Sequence, residues 1–282
     1  MDTLSIDQSE PLPVRAPASV AELSALVTQT RAAKHGVYPV GGRTTLDVGL
    51  PPIKPGVALD TTGLNRVIDY PARDMTITVQ AGITVAAVQA ALAKEGQWLP
   101  IDVPTPERAT VGGTIAVNQS GPRRFGYGTL RDYVIGISFV ADDGAEVKAG
   151  GRVVKNVAGY DLMKLQIGAL GTLGVVTQVT LKVKPKPEAS AAVVFGCDGG
   201  SLGPVLDLLH NSTSRPVAVE VLNAAAWKAA GLAPAVAAEW IVAVGFEEKA
   251  ATVAWQRETL LAELNTAAVT DVAEVADASG LW

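Results

Sequence analysis

The run Pro39-Val40-Gly41-Gly42-Arg43-Thr44-Thr45 places a glycine pair and two hydroxyl residues directly after a short apolar stretch. Adjacent glycines can take positive φ and turn several backbone N–H groups into one concavity, which suits a diphosphate, and threonine hydroxyls add donors. A tight turn without a ligand uses the same residues, so both readings stay open. A second segment follows Pro104: Arg108-Ala109-Thr110-Val111-Gly112-Gly113-Thr114-Ile115-Ala116-Val117-Asn118-Gln119-Ser120-Gly121. Its glycine pair falls at an expected helix start, where a flat ligand or its diphosphate can approach the first N–H groups and their partial positive charge. Asn118 and Ser120 offer the side-chain hydrogen bonds that a polar ring edge needs. The other reading of Gly112-Gly113 is close packing of helix on strand. In a third segment Gly168, Gly171 and Gly174 recur every third residue, which is not the G-x-G-x-x-G of a dinucleotide turn, and no G-x-x-x-x-G-K-[S/T] occurs. Nicotinamide and P-loop chemistry are therefore disfavoured.

These segments must be held by alternating strands and helices. Ser19 with Glu22 forms a capping box for a first helix, with Leu23, Leu26 and Val27 on one face before Gly36. Strands are expected at Val37–Val40, Val57–Asp60, Val67–Asp69, Thr76–Ala81, Val134–Ala141, Glu146–Val154 and Val175–Val183. A second helix runs from Thr84 to Gly96 through Val85, Val88 and Leu92, and a third begins near Val111. Glycine thins out after Pro187, and the alternation of Lys and Pro over residues 182–187 reads as a linker. Beyond it the pattern is strand Ala191–Phe195, helix Pro204–His210, strands Val217–Leu222 and Trp240–Phe246, helix Lys249–Leu264 and strand Ala267–Val275. The fold class is therefore α+β.

Of 282 residues 48% are hydrophobic and 18% charged, enough apolar material for a core and too little charge for disorder. The net charge of -5, without a basic block, disfavours nucleic acid as a partner. The acidic, polar start is unlike a secretory signal, and no apolar run reaches the ~18 residues of a membrane span, so a cytoplasmic protein is expected. One cysteine, Cys197, excludes an intrachain disulfide, and with only His35 and His210 no metal site is expected. The chemistry then falls to an organic cofactor or a partner subunit. Arg123-Arg124 can bind a carboxylate or a flavin diphosphate, or stand solvated; Lys155, Tyr160 and Asp161 can cover a flavin or face a partner subunit, the second reading being favoured; Cys197 reads as a small buried residue. His35 and His210 both sit at helix ends, where the dipole favours them.

Taken together, Gly41-Gly42-Arg43-Thr44, Val111-Gly112-Gly113 with Asn118-Gln119-Ser120-Gly121-Pro122-Arg123-Arg124, Tyr127-Gly128-Thr129-Leu130-Arg131-Asp132, and Gly171-Thr172-Leu173-Gly174-Val175-Val176 resemble, in order, the vanillyl-alcohol oxidase (PCMH) type of FAD-binding domain. Within that superfamily, residues 153–161 beside Gly168–Gly174 resemble the GlcE-type subunits of bacterial glycolate oxidase. The likeness spans Leu12 to Pro187 well and the rest loosely. It implies that Gly41, Gly42, Arg43, Thr44 and Thr45 cradle the FAD diphosphate, mainly through backbone N–H groups. It implies that Thr105, Ala109, Thr110, Gly112, Gly113, Ala116, Asn118, Ser120 and Gly121 lie along the rest of the diphosphate and the flavin. Gly174, Val175 and Val176 would meet the adenosine end. Relatives that link the flavin covalently carry a histidine where Arg43 stands, so FAD is expected to bind non-covalently.

Relatives that oxidise 2-hydroxy acids alone carry paired histidines in their C-terminal domain, and this chain has only His210 there. Such a reaction needs a base near the substrate hydroxyl and a cation on its carboxylate, and no such constellation is visible in the sequence. The catalytic residues are thus left unassigned. The expected organisation is a flexible N-terminus over residues 1–11, a PCMH-type FAD-binding domain of two α+β subdomains over 12–187 with the cofactor between them, and a short substrate-type domain over 188–282. The resemblance implies an FAD-binding subunit of a glycolate oxidase (glycolate dehydrogenase) complex, beside a catalytic flavoprotein subunit and an iron-sulfur subunit. Any membrane association would run through those partners. The rival readings are a standalone FAD-dependent dehydrogenase of glycolate or D-lactate, and a scaffold whose flavin never turns over.

Overall fold

The structure is a computed structural model that describes residues 2–152 and 160–282. The run 153–159, on which the GlcE-type likeness, Lys155 and the end of the expected strand Glu146–Val154 rest, lies outside the described residues. The chain folds into two compact units, one of Met1–Gln119 with Thr129–Pro185, the other of Ser120–Gly128 with Lys186–Trp282.

The first unit contains two sheets. Strands β1 (Thr3–Leu4), β2 (Leu12–Arg15), β3 (Gly36–Val40) and β4 (Gly56–Asp60) form a sheet in the order β1-β2-β4-β3, in which β2, β4 and β3 run parallel. Its period of two sends Leu12, Val40 and Ala58 to one core and Leu59 to the other, where helix α1 (Val20–Ala32) packs Leu23 and Val27. Ser19 caps α1 by accepting from the Glu22 amide, while the Glu22 carboxylate accepts from the Ala18 amide. Residues 1–11, expected as a flexible N-terminus, contribute β1: Thr3 and Leu4 pair with Pro13 and Leu12, and Leu4 and Ile6 pack on the core of this sheet.

The second sheet of this unit is antiparallel, β5 (Val67–Asp69), β6 (Thr76–Gln80), β8 (Val134–Val140), β9 (Glu146–Gly150) and β10 (Val175–Lys182), in the order β5-β6-β10-β8-β9. Helices α2 (Val85–Ala93) and α3 (Val111–Val117) bury Val88, Leu92 and Ile115 against Ile77, Val79, Ile137, Val179 and Leu181. Val140 and Val175 turn instead to the α1 core and tie the two sheets together. Within the expected linker, Lys184–Pro185 (β11) forms a two-residue pairing with Gln97–Trp98 (β7).

The second unit is an antiparallel sheet in the order β13 (Ala218–Asn223), β14 (Trp240–Glu248), β12 (Ala189–Cys197), β15 (Thr270–Val275). Val193, Phe195, Val242, Val244 and Phe246 meet helices Gly199–Asn211 and Ala250–Leu264, while Val194, Ile241 and Ala243 on the other face meet Trp227. The helix expected from Pro204 starts earlier because Asp198 caps it, accepting from the Ser201 amide.

Candidate functional site

Strand β3 delivers Val40 to the sheet end, and the glycine turn follows at once. Neither Gly41 nor Gly42 is left-handed; that conformation falls on Arg43, with φ 58°. The glycines are needed for approach. A Cβ on Gly41 would lie 2.1 Å from Thr110 Oγ1, and one on Gly42 would lie 1.7 Å from the Arg108 carbonyl oxygen. Among the described residues the amides of Gly41 to Thr45 and the hydroxyls of Thr44 and Thr45 make no hydrogen bond to the protein. Part-exposed at the cleft, these donors are open to water or to the oxygens of a ligand.

The charges beside the turn are paired. The Arg43 guanidinium donates to Asp60 at 2.9 Å, and the other Asp60 oxygen accepts from the Thr62 amide at 2.9 Å and the Thr62 hydroxyl at 2.6 Å. Burial by itself would raise the Asp60 carboxyl, but the hydrogen bonds from Thr62 and the adjacent Arg43 outweigh it and hold the group below the usual carboxylate value. Arg108 donates to the carbonyls of Gly42 at 3.3 Å and Arg43 at 3.5 Å.

The turn lines a cleft of about 540 Å³ that lies wholly in the first unit. Gly112, Gly113 and Ala116 on α3 line it as well, as does Thr110, together with Leu170–Thr172 and Gly174–Val176. The start of α3 departs from expectation. Its first amides are already bonded, Val111 to the Ile83 carbonyl, Gly112 to the Ala81 carbonyl and Gly113 to the Thr110 hydroxyl, so they are not open to an anion. The Gly112 site is a packing contact, since a Cβ there would come within 2.8 Å of Ala81 Cβ. At the other end of α3 the carbonyls of Ile115 and Ala116 accept from the amides of Gly168 and Leu170. This pairing draws residues 168–176 to the cleft. Gly174, at φ 142°, lies against Phe139 and Val140.

The remaining expected cofactor residues lie elsewhere. Ala109 is buried and its carbonyl accepts from Val85; Thr105 is left-handed and its carbonyl accepts from the Arg108 and Ala109 amides; Asn118 caps the end of α3. Ser120 and Gly121 belong to the second unit. Pattern reading missed a further wall of the cleft, Leu46 and Val48–Lys54, in which Leu50 and Ile53 are 93% and 90% exposed. The signal was there as apolar residues beside Pro51-Pro52 outside any strand.

In the second unit Arg123, read from the sequence as a binder of a carboxylate or a flavin diphosphate or as a solvated residue, pairs with Glu247 at 3.0 Å, and Tyr127 donates to the other oxygen of the same carboxylate at 3.0 Å. The Glu247 side chain is only 2% exposed, and burial followed by its charge pushes the Tyr127 phenol far up. Arg124 and Tyr160 are exposed, and the Cys197 thiol is buried. Among the described residues no group of three His, Cys, Asp or Glu side chains is placed to hold a metal, and no helix is long and apolar enough to cross a membrane.

A strand leading to a glycine turn of unpaired amides over a cleft between two sheets is the architecture of a dinucleotide-cofactor domain, and comparison with known proteins gives its kind. Residues 11–150 match the family described as FAD binding domain. Glycolate oxidase subunit GlcD of Bacillus subtilis (strain 168) is 35% identical over 217 residues, covering 77% of this chain and 45% of that protein. Glycolate oxidase subunit GlcE of Escherichia coli (strain K12) is 40% identical over 139 residues, covering 49% of this chain and 40% of that protein. The chain thus spans less than half the length of these curated relatives. Among solved structures, an alkyldihydroxyacetonephosphate synthase overlays with a TM-score of 0.75 at 20% identity, over 91% of this chain and 52% of that one, which shows a shared fold. The cofactor of such a domain is FAD. The residues present fit it, because the amides and hydroxyls of the turn, unbonded among the described residues, are donors that suit phosphate oxygens.

Proposed function

We propose that this chain is an FAD-binding subunit of a glycolate oxidase type of complex, which converts a 2-hydroxy acid such as glycolate to its 2-oxo acid. The observation that carries the reading is the cluster of unpaired amides and hydroxyls at Gly41 to Thr45 facing a cleft in a domain of the FAD-binding family. The glycolate oxidase names of the relatives support the substrate class and the existence of partner subunits. FAD, when bound, supplies the acceptor for the two electrons released as the CH–OH carbon is oxidised.

In this reading the chain's own work is to bind and orient. The turn amides and the hydroxyls of Thr44 and Thr45 take the diphosphate without a covalent link. Gly113 and Ala116 on α3 leave room for the flavin end, and Gly174, Val175 and Val176 for the adenosine end. The partners in the proposal are a catalytic flavoprotein subunit and an iron-sulfur subunit, which pass the electrons on. The test is an absorbance spectrum of the purified chain loaded with FAD, recorded with glycolate and then with the catalytic subunit added. The expected result is a yellow protein whose flavin is bleached by glycolate only in the complex. Bleaching of the isolated chain would replace the subunit reading with that of a standalone dehydrogenase, and a chain that takes up no FAD would end both.

A further inference from the structure

The geometry points to Asp60 as a positioning residue for the cofactor diphosphate, one that acts through Arg43; the inference rests on the FAD reading above. The parallel register pairs Val40 with Asp60, so β3 and β4 end at the same level. The chain leaving β3 passes Gly41 and Gly42 and doubles back at Arg43, whose φ of 58° is unfavourable for a side chain of that size unless its surroundings fix it. Asp60 supplies the fixing. One of its oxygens takes the Arg43 guanidinium at 2.9 Å, and the other is held by the amide and hydroxyl of Thr62. The carboxylate is therefore tied to the strand end and cannot drift with the turn.

Arg108 adds a second brace to the turn. It donates to the carbonyls of Gly42 and Arg43, and in a trans peptide the N–H points opposite to the C=O of the same unit. The amides of Arg43 and Thr44 must then face away from Arg108. A second consequence concerns charge. The part-exposed Arg43 cation is matched by Asp60, so the turn offers a diphosphate oriented peptide dipoles more than a free Arg43 guanidinium. FAD affinity should then depend strongly on Asp60 and only weakly on salt.

The experiment is a titration of the full chain with FAD, followed by quenching of flavin fluorescence, for the unmodified protein, Asp60→Asn, Arg43→Ala and the double variant, with circular dichroism melts to check folding. Losing a charge-assisted hydrogen bond that shapes the site should weaken FAD by about tenfold in each single variant. If Asp60 works through Arg43, the double variant binds no more weakly than the worse single one. Asp60→Glu should recover part of the loss. Additive losses would overturn the inference, and so would an Asp60→Asn protein that binds FAD as tightly as the original, because a freed Arg43 would then be gripping the phosphates itself. Should Asp60→Asn melt too early to assay, Arg43→Gly against Arg43→Ala carries the test. Glycine takes a positive φ without a brace, so Arg43→Gly should bind FAD more tightly than Arg43→Ala, and equal or weaker binding would overturn the inference. An unmodified chain that takes up no FAD is a separate outcome, which removes the FAD reading itself and this inference with it.

Discussion

At the scale of single residues, the turn after β3 is governed by distances too short for any side chain. Gly42 passes so close to Arg108 that an added methyl group would overlap its carbonyl oxygen, at 1.7 Å, and backbone cannot yield as a flexible side chain does. Gly42→Ala is therefore expected to shift the turn and cost about 1–3 kcal/mol, the usual range for overpacking, with FAD affinity lowered at least about tenfold. Fluorescence titration of that variant beside its melting curve measures both. Affinity equal to that of the unmodified chain would mean that the turn does not hold the cofactor. The glycine pair was visible in the sequence, but its reason was not. Positive φ was the expected cause, whereas close approach to Arg108 and Thr110 is the observed one, and that contact joins residues more than sixty positions apart.

At the scale of elements, Ser120–Gly128 is held on the sheet of the second unit by three attachments. The Gly126 amide donates to the Val217 carbonyl at 2.9 Å, Arg123 pairs with Glu247 and Tyr127 donates to it. A buried carboxylate with two partners is costly to break, because the arginine is left with an uncompensated charge. Glu247→Gln should destabilise the second unit by roughly 3 kcal/mol. A lowered melting temperature, with FAD binding little changed, would bear this out; an unchanged one would show that the pair contributes no net stability. Most elements were legible where periodicity was strong. Ser19 and Thr84 cap α1 and α2 as their residue types foretell, and the continuous apolar runs of β12 and β14 gave those strands to within two residues at either end. What stayed hidden was tertiary. The strand Thr3–Leu4 is too short to carry a period, the role of Arg123 depends on Glu247 in a distant strand, and the amides at the start of α3 are satisfied by carbonyls of residues 81 and 83 that no local pattern announces.

For the whole molecule, buried phenols in both units set its behaviour at high pH. Tyr133 in the first unit is almost fully buried, and burial, aided by the charge of Asp132, pushes its phenol up to about 12; Tyr127 in the second unit is pushed up further still. A group whose pKa is raised on folding keeps its proton in the native state while the unfolded chain loses it around the ordinary tyrosine value of 10.0. The Tyr133 contribution to stability should therefore be constant below pH 10 and fall as the pH rises toward 12, by about 2 kcal/mol. Urea unfolding across that range, with Tyr133→Phe as the comparison, measures the slope. The variant should lose less stability than the original between those limits, and an identical slope would remove Tyr133 as a cause.

The proposed function rests on main-chain amides at the end of β3 gripping the diphosphate of FAD. The most direct measurement compares FAD with riboflavin, which has the same ring system and no phosphate, in parallel fluorescence titrations of the purified chain. Two or more charge-assisted hydrogen bonds from the turn predict that FAD binds at least about a hundredfold more tightly. Equal affinity for the two would contradict the account, since the turn would then contribute nothing to holding the cofactor.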